Sequence, residues 1–360
     1  MINAIHFYKR HFNKGDGITT VVTNISKYQN EISNINSIEL PFSSDDKLKQ
    51  NEIYGYNTLI GMLILAIKHK PNLVILHGIF YPQILILSFI FGMLGKKIIL
   101  VPHCSLLNIS VNRKKIKKII YLYFFKKIAL NRISSIQYLN SFEKENSYLK
   151  NDKLNSFILY NGVSEIPYNK KNFDKLNFFY LGRCDVYHKG IDILIKGISH
   201  VNPYYINEFN IFGASLEEEA KIKKIISNIP NNISIKIHPP IFNQDKDNIL
   251  SEYNIYIMTS RYEGLPVSVI EALSYGCICL LSEGTNLSKL VEKYGCGYEI
   301  NDAFTISNAV EKISTLSQSE LMHMSDKAKN LVADNFLWRK IAIESVNFYQ
   351  NLIETDSRDI

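Results

Sequence analysis

The chain has 360 residues, enough for two domains, and its 46% hydrophobic and 21% charged residues exclude an intrinsically disordered protein. The net charge of +7 favours phosphate-bearing ligands or an anionic surface and does not require nucleic acid. Five irregularly spaced cysteines argue against a disulfide framework, and Cys277 and Cys279 alternate within an apolar run as buried strand residues do. We expect no signal peptide before the strand-like run at 4–8, and the apolar window 84–94 is too short to span a bilayer.

The first half of the chain alternates short apolar runs with segments of helical length. This rhythm predicts a parallel sheet covered on both faces. The predicted strands are 4–8, 72–76, 97–101, 135–138 and 156–159, and the predicted helices are 57–69, 83–93, 113–130 and 141–149.

The alternation breaks at a polar linker over 161–175 and then starts again. The predicted strands of the second half are 177–181, 209–212, 233–237, 255–258, 278–281 and 297–300, and the predicted helices are 190–199, 216–228, 266–275, 286–293 and 305–315. A closing helix over 336–352 carries the only tryptophan. Two doubly wound halves predict a cleft between domains, with ligands at the carboxyl ends of the strands. The absence of GxGxxG leaves a dinucleotide site without support.

Residues 260–272 carry two glutamates, Glu263 and Glu271, with seven residues between them. Gly264 lets the backbone approach a ligand closely, and Pro266 suits the first turn of the helix that follows. The start of that helix offers N–H groups and the positive end of its dipole to an anionic or hydroxyl-rich ligand. We therefore expect one carboxylate to hold a sugar and the other a ribose.

Arg183 and Lys189 lie between the predicted strand 177–181 and the helix 190–199. Beside a helix N-terminus the two cations suit a diphosphate, and they would neutralise a departing nucleoside diphosphate without a metal ion. Such a pair alone is more typical of a solvated surface. Its place at a strand end, in register with the glutamates, favours the binding interpretation.

Histidines and glycines at other strand ends of the first half are further candidates. His103 follows strand 97–101, and it suits either a hydrogen bond to a reacting sugar or phosphate or an ordinary loop position. His77 is the weaker candidate, for which a structural role is favoured. Gly15 and Gly17 precede the first helix and would let the backbone approach a phosphate or an acceptor, although this signal is weak alone.

Two charged segments leave alternatives open. Asp245 and Asp247 have the Asp-x-Asp form that can hold a divalent cation, but acids are common at a helix start, and we favour that interpretation. No metal site is therefore predicted. The basic, aromatic helix over 113–127 suits an anionic membrane surface or lipid phosphate, and it equally suits a helix whose apolar face packs in the core.

Taken together, these pieces resemble the retaining family 4 glycosyltransferases (glycosyl transferases group 1), which have the two-domain GT-B fold. The segments that carry the resemblance follow the family's order over most of the chain: 70–78, 101–103, 161–163, 182–183, 189–192, 263–266, 271–272 and the closing helix. The sequence departs from the family pattern at Asp16, which separates the glycines, and at Cys104, where Gly or Asp is usual.

The resemblance implies an α/β protein of two Rossmann-like, doubly wound domains that face each other across a cleft. An N-terminal acceptor-binding domain would span 1–165, with the C-terminal helix 336–360 packed back on it, and a nucleotide-sugar-binding domain would span 175–335. The implied site residues are Arg183, Lys189, Gly15 and Gly17 at the donor diphosphate, Glu263, Gly264, Leu265, Pro266 and Glu271 at the donor sugar and ribose, and His103 and Glu263 as catalytic residues.

The implied reaction is the retaining, metal-independent transfer of a hexose from a UDP- or GDP-linked donor, without a cofactor. We expect a glycan acceptor, lipid-linked, in bacterial surface polysaccharide biosynthesis such as that of capsule or O-antigen. The expected location is the cytoplasm, peripherally on the inner face of the cell membrane. The alternative is a catalytically silent GT-B protein that binds a nucleotide or a lipid phosphate. Nucleic-acid binding is not expected, because no base-stacking motif accompanies the basic helix.

Overall fold

The computed structural model describes residues 1–10, 17–42, 58–112, 115–149, 154–168, 170–206, 208–230 and 233–354. The chain divides into two compact units. The first comprises Met1–Gly162 with Trp338–Ile360, and the second comprises Val163–Leu337. The second unit therefore begins inside the predicted linker, and the closing helix belongs to the first unit.

The first unit is built on a six-stranded parallel sheet. Its strands are β1 (Ile2–Lys9), β2 (Ile35–Phe42), β3 (Leu73–His77), β4 (Lys97–Val101), β5 (Ser135–Tyr138) and β6 (Ser156–Ile158). They lie in the order β2-β1-β3-β4-β5-β6. All five residues of β3 are buried, as expected for a strand covered on both faces.

Helices α1 (Gly17–Gln29), α2 (Leu59–Lys68), α3 (Pro82–Met93), α4 (Asn108–Asn112), α5 (Lys115–Ile128) and α6 (Ser141–Glu145) connect these strands. Three of them, α2, α3 and α5, pack into one core with the sheet. They contribute side chains such as Met62, Leu87, Phe91, Leu122 and Phe125. Burial of each such side chain contributes roughly 1.5–3 kcal/mol, so this layer stabilises the face of the sheet it covers.

The second unit has its own six-stranded parallel sheet. Its strands are β7 (Phe178–Leu181), β8 (Glu208–Phe212), β9 (Ser234–His238), β10 (Ile255–Met258), β11 (Ile278–Leu281) and β12 (Gly297–Glu299), in the order β12-β11-β10-β7-β8-β9. Strand order reverses between β10 and β7. In doubly wound sheets, the crevice outside the carboxyl ends of two such neighbours is where ligands bind.

The helices of the second unit are α7 (Ile191–Ser199), α8 (Leu216–Ser227), α9 (Asn243–Glu252), α10 (Val267–Ser274), α11 (Ser288–Tyr294), α12 (Ala303–Ser314) and α13 (Gln318–Asn335). Pro266 is the N-cap of α10. The prediction that it lies in the first helical turn was therefore wrong by one position: its extended ψ of 110° keeps it outside the helix.

The last helix, α14 (Trp338–Glu354), packs within the first unit. Trp338 lies against Val21 and Ile25 of α1, and Tyr349 joins a core with Ile2 of β1. Over the described part of the chain, no helix combines the length and the apolarity that crossing a membrane requires.

Candidate functional site

The centre of the site is an ion pair at the carboxyl ends of β7 and β10. Lys189 Nζ lies 2.5 Å from Glu263 Oε1, and the two side chains are only 11% and 10% exposed. Ser260 Oγ donates to the same carboxylate oxygen at 2.7 Å. Salt screens such a shielded pair much less than an exposed one. The structure thus brings together two residues that the sequence placed on separate loops.

The residue before Lys189 was not predicted as part of the site. The His188 ring stacks on Tyr262 with centroids 4.3 Å apart, and its Nε2 lies 2.7 Å from the Tyr262 carbonyl oxygen. Burial lowers the pKa of His188 from its ordinary value, and the opposing charge of Glu263 does not cancel the effect. His188 is therefore neutral at pH 7 and donates to that carbonyl. Its position next to Lys189 was the only sequence signal for it.

Gly190 holds the start of α7 against the end of β10. Its φ of +63° is left-handed, and a Cβ at this position would lie 2.0 Å from the Thr259 carbonyl oxygen. Thr259 Oγ1 in turn donates to the Gly190 carbonyl at 2.8 Å. Only glycine allows this approach, and the contact fixes the backbone that carries Lys189.

A salt bridge also joins α7 to the segment that follows β10. Arg261 donates two hydrogen bonds to the Asp192 carboxylate, at 2.8 Å and 2.6 Å, and its backbone N–H donates to the His188 carbonyl at 2.9 Å. Burial alone would raise the pKa of Asp192, but the hydrogen bonds and charge of Arg261 outweigh burial and lower it. The bidentate geometry of this pair fixes the position of α7 relative to the loop after β10.

Asn286 supports the loop that carries Glu263. Its φ of +59° is left-handed, and its side-chain amide donates to the carbonyls of Glu263 and Gly264 at 2.7 Å and 3.2 Å. Leu265 is buried beside them. Asn286 was not predicted, although Asn is one of the few residues that tolerates such a conformation.

The remaining donor-site candidates of the second unit differ in their surroundings. Arg183 is exposed on the loop after β7, and its carbonyl accepts a hydrogen bond from the buried Tyr180 hydroxyl at 2.7 Å. Glu271 lies on the second turn of α10, where its Oε1 is 2.5 Å from Lys246 Nζ. Glu271 therefore pairs with a different cation from Glu263.

Lys246 is the middle residue of the Asp-x-Asp segment, so the structure gives that segment a role that was not predicted. Asp245 lies in the first turn of α9, as expected for a helix-start acid. Burial raises the pKa of the Tyr275 phenol, and its hydrogen bond to the Asp247 carboxylate raises that pKa further. Within the described ranges, no group of three or more His, Cys, Asp or Glu side chains could hold a metal ion.

His103, in the first unit, lies in an unusual turn after β4. Its φ is +49° and that of Cys104 is +62°, two consecutive left-handed residues of which neither is glycine. The buried Glu143 carboxylate accepts the backbone N–H groups of Cys104 at 2.5 Å and Leu139 at 2.8 Å. This carboxylate holds the turn, and His103 Nε2 lies 2.9 Å from Nδ1 of the buried His77.

The structure bears differently on the two glycines that were predicted to border a phosphate or an acceptor. Gly15 lies outside the described residues. Gly17 is the first residue of α1, and a Cβ added there would meet no atom of the described residues within 4 Å. Packing against the described part of the chain therefore does not demand a glycine at this position, and its predicted role at a phosphate or acceptor stays a prediction.

Comparison with known proteins shows the family of the second unit. Residues 165–332 match the family model described as Glycosyl transferases group 1. The second unit is a group 1 glycosyltransferase domain. The match covers nearly all of Val163–Leu337, so the Lys189–Glu263 pair lies within the glycosyltransferase domain.

Two curated relatives extend the likeness beyond this domain. The chain is 23% identical over 247 residues to the O-antigen biosynthesis glycosyltransferase WclY of Escherichia coli, covering 65% of this chain and 63% of that protein. It thus spans less than two thirds of the length of that relative. It is 24% identical over 359 residues to an uncharacterized 41.2 kDa protein in the cps region of Klebsiella pneumoniae, covering 91% and 92% of the two chains.

Solved structures share the fold of the whole chain. Sucrose-phosphate synthase from Thermosynechococcus elongatus has a TM-score of 0.74 at 14% identity, over 98% of this chain and 100% of that one. Anabaena Alr3699/HepE, in complex with UDP and glucose, has a TM-score of 0.71 at 12% identity, over 97% and 99%. The prediction of a GT-B fold built from two Rossmann-like units is confirmed.

Proposed function

We propose that the protein is a retaining, metal-independent hexosyltransferase of bacterial surface polysaccharide biosynthesis. It moves a sugar from a UDP- or GDP-linked donor to a lipid-linked glycan. The observation that carries the proposal is the shielded Lys189–Glu263 pair at the strand-order reversal of a group 1 glycosyltransferase domain. The name of WclY supports the pathway. A second E. coli relative, 29% identical over 94 residues, is a UDP-Gal:alpha-D-GlcNAc-diphosphoundecaprenol alpha-1,3-galactosyltransferase, which supports the acceptor class.

The donor diphosphate is assigned to Arg183 and Lys189. A lysine ammonium has three N–H donors, so Lys189 can keep its bond to Glu263 and still donate to a phosphate oxygen. Arg183, exposed on the same loop, supplies a second positive charge. These cations stabilise the negative charge that grows on the departing nucleoside diphosphate.

The donor sugar and ribose are assigned to the two carboxylates. Glu263 Oε1 already accepts from Lys189 and Ser260, so Oε2 is the oxygen offered to the sugar hydroxyls. Glu271 takes the ribose hydroxyls beside Lys246. The bond from the anomeric carbon to phosphate oxygen breaks, and the bond to the acceptor oxygen forms on the same face. The departing phosphate receives the acceptor proton, and His103 hydrogen bonds to the reacting sugar.

A nucleotide titration tests the donor site. Calorimetry with UDP, GDP and ADP, each with and without EDTA, should show one nucleotide that binds without a divalent ion. Lys189→Ala should weaken it by about tenfold or more, because a charge-assisted bond to phosphate contributes roughly 1.5–3 kcal/mol. Lys221→Ala is the matched control, since Lys221 is exposed on α8 and forms a salt bridge with Glu217 on the same helix. Binding that requires a divalent ion, or equal loss in both variants, would contradict the assignment.

Turnover distinguishes the transferase from a silent binder. The nucleotide identified by calorimetry selects a panel of its sugar conjugates, to be incubated with undecaprenyl-diphosphate-linked sugars. Transfer with retention of anomeric configuration, abolished in Glu263→Ala, supports the proposal. Nucleotide binding without transfer to any acceptor of the panel would instead support the alternative of a catalytically silent GT-B protein.

Peripheral attachment to an anionic membrane is part of the proposal. Helix α5 buries Leu122 and Phe125 in the core and also exposes apolar side chains at helical spacing, so its core packing leaves an apolar surface that a membrane would cover. Helices α2 and α3 pack into the same core and carry similar exposed side chains. The exposed apolar residues are Ile60, Ile64 and Ile67 on α2, Ile86, Phe89 and Met93 on α3, and Ile116, Ile120, Tyr123 and Phe124 on α5.

Positive charges surround these exposed apolar residues and favour an anionic partner. Lys115, Lys117, Lys126 and Lys127 of α5 are exposed among the apolar residues. Each lysine near an anionic bilayer contributes about 1 kcal/mol, and inserted apolar side chains add to it. An acidic lipid surface therefore fits this layer better than a neutral surface.

Sedimentation with vesicles tests the membrane surface. Full-length protein should bind phosphatidylglycerol vesicles and not phosphatidylcholine vesicles, and salt should weaken binding. The double variant Ile120→Ser with Phe124→Ser should bind about 30-fold more weakly, from roughly 2 kcal/mol of lost burial. Phe304→Ser, an exposed apolar residue on α12, is the control. Equal binding to both vesicle types would contradict the membrane proposal.

A further inference from the structure

A buried tyrosine of the second unit donates a hydrogen bond to the loop that carries Arg183. Tyr180 is the third residue of β7, its side chain is fully buried, and its hydroxyl lies 2.7 Å from the Arg183 carbonyl oxygen. A phenol hydroxyl has a single hydrogen, and this bond uses it. Burial raises the pKa of Tyr180 well above its ordinary value, so the phenol keeps that hydrogen and stays a donor.

The order of residues at the end of β7 makes this bond possible. Alternate residues along a strand face the same side, so Tyr180 and Gly182 share one face of the sheet. A Cβ at Gly182 would lie 3.0 Å from the Tyr180 hydroxyl oxygen. The phenol therefore passes close to the Gly182 backbone on its way to the Arg183 carbonyl, and the glycine leaves room for it.

The two carbonyls before that of Arg183 are also held by buried side chains. The Tyr256 hydroxyl donates to the Leu181 carbonyl at 2.9 Å, and the Cys184 thiol donates to the Gly182 carbonyl at 3.5 Å. Tyr256 and Cys184 are both fully buried. Three successive carbonyls thus accept hydrogen bonds from three different buried side chains.

The two phenols approach the end of β7 from opposite faces of the sheet. In the parallel register, Tyr256 of β10 lies opposite Phe179 of β7 and so shares its face. The rings of Phe179 and Tyr256 accordingly meet edge to face, with centroids 5.1 Å apart. Tyr180 is the next residue and points to the other face. The chain is therefore fixed from both faces just before the exposed Arg183.

The end of β8 packs directly against the same turn. The Gly182 N–H donates to the Phe212 carbonyl at 3.1 Å, and a Cβ at Gly213 would lie 2.1 Å from the Gly182 carbonyl oxygen. Gly182 is thus fixed by backbone contacts as well as by side chains. The next peptide, between Arg183 and Cys184, is the one whose carbonyl the Tyr180 hydroxyl holds.

We propose that Tyr180 is a positioning residue of the donor site, whose hydroxyl fixes the peptide after Arg183 and so directs the Arg183 guanidinium to the donor diphosphate. The diphosphate contact rests on the proposed function, whereas the bond that holds the peptide does not. Without the hydroxyl, the Arg183 carbonyl loses its partner and turns toward water, because an unsatisfied acceptor is costly. The Arg183 backbone then samples several orientations, and selecting one of them on binding lowers the affinity.

Nitrogen NMR of full-length protein labelled with 15N-cysteine tests the bond directly. The chain has five cysteines, and the amide of Cys184 belongs to the same peptide as the Arg183 carbonyl; single Cys→Ser variants assign the signals. We expect this amide to have an order parameter of about 0.85 in the wild-type protein and below about 0.6 in Tyr180→Phe. The other cysteine amides should keep their order parameters, which shows that the variant is folded. Equal order parameters of the Cys184 amide in the two proteins would overturn the proposal, whatever the nucleotide affinity.

A double-mutant cycle tests whether Tyr180 acts through Arg183. Calorimetry with UDP and with GDP compares the wild-type protein, Tyr180→Phe, Arg183→Ala and the double variant. We expect Tyr180→Phe to weaken binding by about fivefold, the effect of losing one typical hydrogen bond, and Arg183→Ala by about tenfold or more. The double variant should bind no more weakly than Arg183→Ala, because the position of a side chain has no effect once that side chain is absent.

The control and the outcomes separate this role from a general loss of packing and from the proposed function. Tyr349→Phe is the matched control, since it removes the hydroxyl of another buried tyrosine, on α14 of the first unit, and should leave the affinity unchanged. Losses that add in the double variant, or an equal loss in Tyr349→Phe, would overturn the positioning role. If the wild-type protein binds neither UDP nor GDP, the proposed function fails, and the Cys184 amide still decides whether Tyr180 holds the peptide.

Discussion

Replacing Gly190 by alanine should damage the donor site through one steric contact. The new Cβ would lie 2.0 Å from the Thr259 carbonyl oxygen, whereas ordinary carbon–oxygen contacts lie near 3.4 Å. The backbone must then retreat by about 1.4 Å, which moves Lys189 away from Glu263. The left-handed conformation costs alanine about 1–2 kcal/mol, and overpacking costs about 1–3 kcal/mol.

A total of about 2–5 kcal/mol should lower Tm of the second unit by about 4–20 °C, given its size. Nucleotide affinity should also fall, as measured by calorimetry beside scanning fluorimetry. Gly295→Ala is the control: its φ is +68°, but its nearest neighbour is the flexible end of Lys327 at 3.1 Å. It should lose only the conformational 1–2 kcal/mol and keep its nucleotide affinity. Equal effects of the two substitutions on both measurements would refute the argument.

Two further predictions concern the first unit. Burial lowers the pKa of His6 to about 4, so between pH 6.5 and pH 4 this side chain binds a proton in the unfolded chain and not in the folded one. The free energy of unfolding should therefore be at its full value above pH 6.5 and fall by about 3 kcal/mol as pH drops to 4. His6→Gln should flatten this dependence of Tm on pH, and an unchanged slope would contradict it. Burial raises the pKa of Glu143, yet its carboxylate accepts two backbone N–H groups, including that of Cys104. Glu143→Gln turns an amide N–H₂ toward one of them, which should cost about 1–3 kcal/mol and lower Tm; a wild-type Tm would show that the turn at His103 does not depend on this carboxylate.

The sequence predicted the buried strands best. Strands β4, β5, β10 and β11 have the bounds that were expected, because continuous apolar runs mark strands covered on both faces. Strand β2 was missed, since Asn36, Glu39 and Pro41 interrupt its apolar pattern. These residues are tolerated because β2 is an edge strand with a partner on one side only.

Helix α13 was missed for a related reason. Its sequence is polar on average, and only a narrow stripe that includes Leu321, Ala328 and Leu331 is buried. Its start was nevertheless readable from Ser317 and Glu320, which form a capping box. Pattern matching for long apolar stretches overlooks helices that cover a domain with few apolar residues.

In the candidate site, the sequence predicted positions and not contacts. Lys189 and Glu263 were each expected at a strand end, but their ion pair depends on how closely Gly190 approaches Thr259. Glu271 was expected to hold a ribose, and its pairing with Lys246 from another helix was not predicted. Spacing along the chain cannot reveal contacts that the packing of different elements creates.

The histidines of the first unit show the same limit. One histidine in an apolar strand is most simply a core residue, and only the register of three strands aligns His6, His77 and His103. Ser345 of α14 accepts a hydrogen bond from the side-chain amide that contacts His6, and Trp338 of the same helix packs against α1. Ser345→Ala removes this polar contact and keeps Trp338, so the two contributions of α14 to the stability of the first unit can be measured separately.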